Sequence, residues 1–156
     1  QASGLTGTTS VAVSAGVARF TDLGKTGKAE LKTLAFSSGV LAQASQQFNL
    51  THGAAYGIGV TTSAAGATVG VNLTTQPVVT IQDQDGNTVN TGTQSTQNVV
   101  LTTSAGTTLS GTTTVAAVAG VATYSGLQLN GTAGSATFTY TISSPSTITE
   151  GSRVIS

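Results

Sequence analysis

Asp83, Asp85 and Asn87 stand at alternate positions in the run DQDGN at residues 83–87, and alternating oxygen-bearing side chains are how loop sites converge on Ca²⁺. The three are therefore the candidate metal ligands of this chain. A full EF-hand loop would also need a bidentate Glu farther along, and the following TVNTGTQ holds none. The same five residues suit a hairpin turn, because Asp-Gly and Asn readily take positive φ. We expect the turn, with Ca²⁺ as the one cofactor the spacing would allow.

Three Asn-X-Ser/Thr triplets mark Asn49, Asn72 and Asn130 as candidate glycosylation sites. Arg19, Asp22, Lys25, Lys28, Glu30 and Lys32 crowd into one short window. That window reads as a docking patch, as the source of a lysine for an isopeptide crosslink to Asn beside an acid, or as a solvated hairpin whose charges discourage edge pairing. The hairpin is the expected reading. His52 is the only histidine, so no histidine metal cluster can form, and a Ser-His-Asp triad would have to gather its serine and acid from elsewhere. No G-x-S-x-G elbow is present. With no Trp, 3 Tyr and 4 Phe, an aromatic platform for sugar is not expected, and Phe20, Tyr124, Phe138 and Tyr140 read as core. The chain is not expected to be an enzyme.

The elements that must position these residues are strands. PVVTIQD (77–83), NVVLTTS (98–104), TTTVAAV (112–118), GVATYSGLQL (120–129) and SATFTYTIS (135–143) each combine β-branched or aromatic residues, period-two alternation and a Gly, Asn or Asp boundary. In the last, Ala136, Phe138, Tyr140 and Ile142 share one face and the threonines the other, as in a half-buried antiparallel strand. Turns roughly every ten residues argue for a sandwich. Only residues 28–48 have helix-forming composition.

An internal repeat overrides that local propensity. At an offset of 104 positions, Leu5 pairs with Leu109, Gly7 with Gly111, Val11 with Val115, Gly16-Val17-Ala18 with Gly120-Val121-Ala122, Phe20 with Tyr124 and Leu23 with Leu127. Residues 28–48 then lie opposite strands and are predicted to be strands. Residues 52–156 form one whole repeat, whereas residues 1–51 match only the second half of it. A half-sandwich leaves an open face and unpaired edges, so something else must complete it.

Composition narrows the setting. Charged residues are 6% of the 156 and the net charge is zero, so the surface is polar through hydroxyls and amides and offers no footprint for nucleic acid or anionic membrane. A near-neutral surface favours association. Cysteine is absent, which removes disulfides and thiolate chemistry. No stretch approaches the roughly 20 apolar residues of a membrane span. Methionine is absent even at position 1, and the chain is expected to be a secreted product stripped of its signal peptide or an excised piece of a tandem array.

QQFNLTHGAA (46–55), TTQPVVTIQDQDGNTV (74–89) and GTTLSGTTTVAAVAGVATYSGLQL (106–129) together resemble the bacterial immunoglobulin-like repeats of giant surface proteins and adhesins, and more distantly those of invasin and intimin. The resemblance spans nearly the whole chain and implies a fold and a location, with no catalytic residue. The expectation is an all-β protein of immunoglobulin-like antiparallel β-sandwich modules, one complete and one incomplete. It would be an extracellular, cell-surface structural protein, a filament or stalk subunit assembled head to tail with itself by strand complementation. Residues 1–9 and 148–156 are the expected donor segments. The alternative is an adhesin-type module that recognises a glycan or host protein through loops such as 83–93 or 104–111.

Overall fold

A computed structural model describes residues 4–142 and 151–155, and no α-helix occurs among them. The chain divides between His52 and Gly53 into two compact units, one residue from the boundary the repeat predicts.

The first unit contains β1 (Leu5–Thr6), β2 (Gly24–Lys25), β3 (Leu31–Phe36) and β4 (Ala44–Asn49). β1 pairs antiparallel with β2, Leu5 opposite Lys25, and β3 with β4, Leu31 opposite Asn49 and Phe36 opposite Ala44. The helix-forming composition of 28–48 thus yields to a hairpin. Lys32, Leu34 and Phe36 are half-buried on one face of β3, while Leu31, Thr33 and Ala35 are exposed on the other.

The second unit contains β5 (Gly57–Thr62), β6 (Val78–Gln82), a 3₁₀ turn at Thr93–Thr96, β7 (Asn98–Thr103), β8 (Thr107–Ser110), β9 (Thr114–Ala116), β10 (Val121–Thr123), β11 (Gln128–Gly131), β12 (Ala136–Ile142) and β13 (Gly151–Ile155). One sheet has the order β10-β6-β5, another β13-β12-β7-β9, and β11 pairs with β8; all pairings are antiparallel. Val79, Ile81 and Ala122 from the three-stranded sheet share one buried cluster with Val99, Leu101, Ala136, Phe138 and Tyr140 from the four-stranded sheet. The arrangement is consistent with a β-sandwich. Each large side chain buried there contributes roughly 1.5–3 kcal/mol.

Two sequence expectations are revised by the structure, and one strand is added. Residues 120–129 form two strands, not one, because the chain leaves the sheet at Tyr124–Leu127 to bury Tyr124 and Leu127. Residues 104–111 are not simply a loop, since they contain β8. β5 was not anticipated.

The two units repeat each other in geometry. Ala15 and Gly16 have φ of 48° and 77°, and Ala119 and Gly120 have φ of 47° and 78°. Each pair turns the chain between bridged residues, Ser14 with Val17 and Val118 with Val121, as a two-residue hairpin with both φ positive requires. Leu5 opposite Lys25 is matched by Leu109 opposite Leu129. The last hairpin departs from the offset: Phe36 faces Ala44, but Tyr140 faces Gly151. Charge is divided unevenly. The first unit has four cations against two anions, and the second one cation against three anions.

Candidate interaction surface

The residues that form the core of the second unit have counterparts in the first that lack a cover. Tyr124 and Tyr140 are each 1% exposed, and their rings lie 5.9 Å apart. The equivalent pair, Phe20 and Phe36, keeps its ring separation at 5.6 Å but is only half-buried. Leu23 and Leu34 are half-buried where Leu127 and Phe138 are sealed, and Val13 is 58% exposed where Ala117 is 2%. No described residue of the first unit is buried. Phe20 is therefore not the core residue that its position in the repeat implied. The offset matches Phe20 with Tyr124, and it matches Phe36 with Tyr140 as well.

The cause is topological. In the second unit β10 lies beside β6, and β7 lies between β12 and β9. These strands bring Pro77, Val79, Ile81, Val99 and Leu101 into the core. Among the described residues of the first unit, nothing corresponds to β5, β6 or β7. β3 has β4 on one edge and no described strand on the other, the edge that β7 takes on β12. The two ends expected to act as donor strands are already paired within the chain where they are described. Leu5–Thr6 is β1, on β2, and Gly151–Ile155 is β13, on β12. Residues 1–3, 148–150 and 156 lie outside the described residues.

The charged window of the first unit folds onto itself. Thr8 donates to Asp22 through its backbone N–H (3.0 Å, to Oδ1) and its hydroxyl (2.8 Å, to Oδ2), and these bonds hold the exposed Asp22 carboxyl below its usual range. Lys32 forms an ion pair with Glu30 that lowers the Glu30 pKa. Lys32 occupies the place of the buried Ala136, so the open face carries a charge at its rim.

Asp83, Asp85 and Asn87 come together in the turn after β6. Asp83 Oδ1 accepts the backbone N–H of Asp85 (2.9 Å) and of Asn87 (2.8 Å), and Oδ2 accepts the N–H of Gly53 (2.8 Å) and Asn87 Nδ2 (2.9 Å). Burial is the largest single influence on its pKa and pushes it up; the donors from Gly53, Asn87 and Asp85 together outweigh it and hold the carboxyl below 3.8. A carboxylate ringed by N–H groups closes a loop and anchors the start of the unit. Among the described residues, no group of three His, Cys, Asp or Glu is placed to hold a metal.

Tyr124 ties the two sheets together by donating its hydroxyl to the Val99 carbonyl at 3.0 Å. Burial, with Tyr140 alongside, raises its pKa well above the ordinary 10.0. Of the three glycosylation candidates, Asn49 and Asn72 are exposed, and Asn72 Oδ1 accepts from Gln128 Nε2 at 2.9 Å. Asn130 is half-buried, donates Nδ2 to Ser110 Oγ at 3.1 Å, and lines a cavity of about 530 Å³ with Val69, Leu129 and Ser135. His52 is half-buried at the end of the first unit. Compared with protein-family models, curated proteins and solved structures, the chain matches none.

Proposed function

We propose that the chain is a non-enzymatic, extracellular structural protein whose immunoglobulin-like modules build a surface filament or stalk, the open module being completed by strands of a neighbouring subunit. The observation that carries this reading is the pair of matched aromatic contacts, sealed in one unit and only half-buried in the other. An uncovered apolar face beside a free strand edge is a template for β-augmentation, in which main-chain hydrogen bonds give the linkage and alternate side chains fill the groove.

The strand order of the second unit supports the immunoglobulin-like part of the proposal. Its first two strands join β10 in one sheet, and its third joins the last two in the other, the crossing pattern of that sandwich. The low charge suits a subunit packed into an assembly. Negative-stain microscopy of natively isolated material, beside size-exclusion of the purified chain, tests the reading. Regular fibres, with the purified chain self-associating, are the expected result. A stable monomer that binds a glycan or host protein through its loops would replace this proposal with the adhesin alternative.

A further inference from the structure

We infer that the seat on the first unit takes a three-strand half-repeat of the residue 53–104 pattern, filling the places that β5, β6 and β7 hold in the second unit. The inference rests on the filament reading for its setting and deepens it by specifying the donor.

A single inserted strand does not suffice. In the second unit the missing part does two separate things. β6 pairs along β10, Ala122 opposite Val79, and β7 pairs along β12, Tyr140 opposite Leu101. Carried back by the repeat offset, these become Ala18 opposite a Val79-like residue and Phe36 opposite a Leu101-like one. A strand on β3 alone would leave the edge at residues 17–19 open and the Phe20 side of the aromatic pair wet. Both edges close together only when the donor brings β6 and β7 joined, as the second unit has them.

The turn at Ala15-Gly16 retains the shape this donor requires. Gly120 is approached so closely that a Cβ would meet the Val89 carbonyl, and it donates to Ser95 and accepts from Ile81 through its backbone. Gly16 has the same φ, yet nothing lies within 4 Å of where its Cβ would be. The space is open because the segment bearing Val89, Ser95 and Ile81 is missing from this unit.

Stoichiometry adds a constraint. The chain contains one half-repeat of the donor type (53–104) and two of the acceptor type (1–52 and 105–156). Sealing both acceptors therefore takes a second copy of the donor pattern for each chain.

The test joins a second copy of residues 53–104 directly to residue 1 of the full chain, a junction equivalent to Ser104–Ala105. Hydrogen exchange of the β3 amides, Leu31–Phe36, is compared with that in the chain alone, with β12 as the internal measure of folding. Slowing of β3 exchange by about a hundredfold, abolished by Val79→Asp and Leu101→Asp in the added copy, is the expected result. Unchanged β3 exchange with β12 protected overturns the inference.

If the fusion loses β12 protection, the 53–104 polypeptide is titrated into the full chain instead. Saturable binding that Phe36→Asp removes supports the proposal, and no binding overturns it. Fibres from native material together with unprotected β3 in the fusion would retain the filament reading and reject the half-repeat donor. Protected β3 without native fibres would do the reverse.

Discussion

At the scale of single residues, Asp83 and Tyr124 bear the clearest consequences. Asp83→Asn places an amide among four N–H donors, and the second unit should lose roughly 2–3 kcal/mol, read as a shift in its urea midpoint. The pH dependence follows from the lowered folded-state pKa. The stabilisation from Asp83 is fully present above the unfolded value near 3.8 and is lost as pH falls through the lower folded value. Acid unfolding of the second unit should accordingly flatten in the Asn variant. Tyr124→Phe leaves the Val99 carbonyl without its hydroxyl donor and should cost about 1 kcal/mol, measured in the same way. The first unit already has Phe at the equivalent position, so it makes no such tie.

At the scale of elements, the repeated hairpin allows a controlled comparison. Gly16→Ala and Gly120→Ala meet the same positive φ, a strain of about 1–2 kcal/mol, but only at Gly120 does the new Cβ also meet the Val89 carbonyl. Gly120→Ala should lower the midpoint of its unit by at least twice as much as Gly16→Ala lowers that of the other. The strands at 98–104, 112–118 and 135–143 were legible because alternation and burial coincide there, Ala136, Phe138 and Tyr140 being sealed in turn, and the one at 77–83 because β-branched residues fill it, Val79, Thr80 and Ile81 all being buried. β5 was hidden because Gly57 and Gly59 are poor strand formers. Gly59 is there for space, since the Gln82 side chain lies where its Cβ would be. The DQDGN turn was legible as a turn, but the bond from Gly53 to Asp83 spans 30 residues and leaves no local signal. The offset placed the division between the two units within one residue of where it falls. Which apolar residues of the first unit stay uncovered was not legible, because that depends on strands absent from the unit.

At the scale of the whole molecule, the two units should differ sharply in stability. Among the described residues, all of the buried hydrophobic ones belong to the second, so urea should dissolve the structure of the first unit early and over a broad range, followed by one cooperative transition of the second. Amide exchange should separate them in the same order, with β3 and β4 fast and β7 and β12 slow. The division of charge has a consequence for handling the material. With two surplus cations in one unit and two surplus anions in the other, a chain of pI about 6.8 is neutral as a whole yet polar between its units. At neutral pH and low ionic strength it should be retarded on cation and anion exchangers alike, each resin gripping a different unit. Both retentions should fade near 0.1 M salt, where the screening length shortens to about 10 Å.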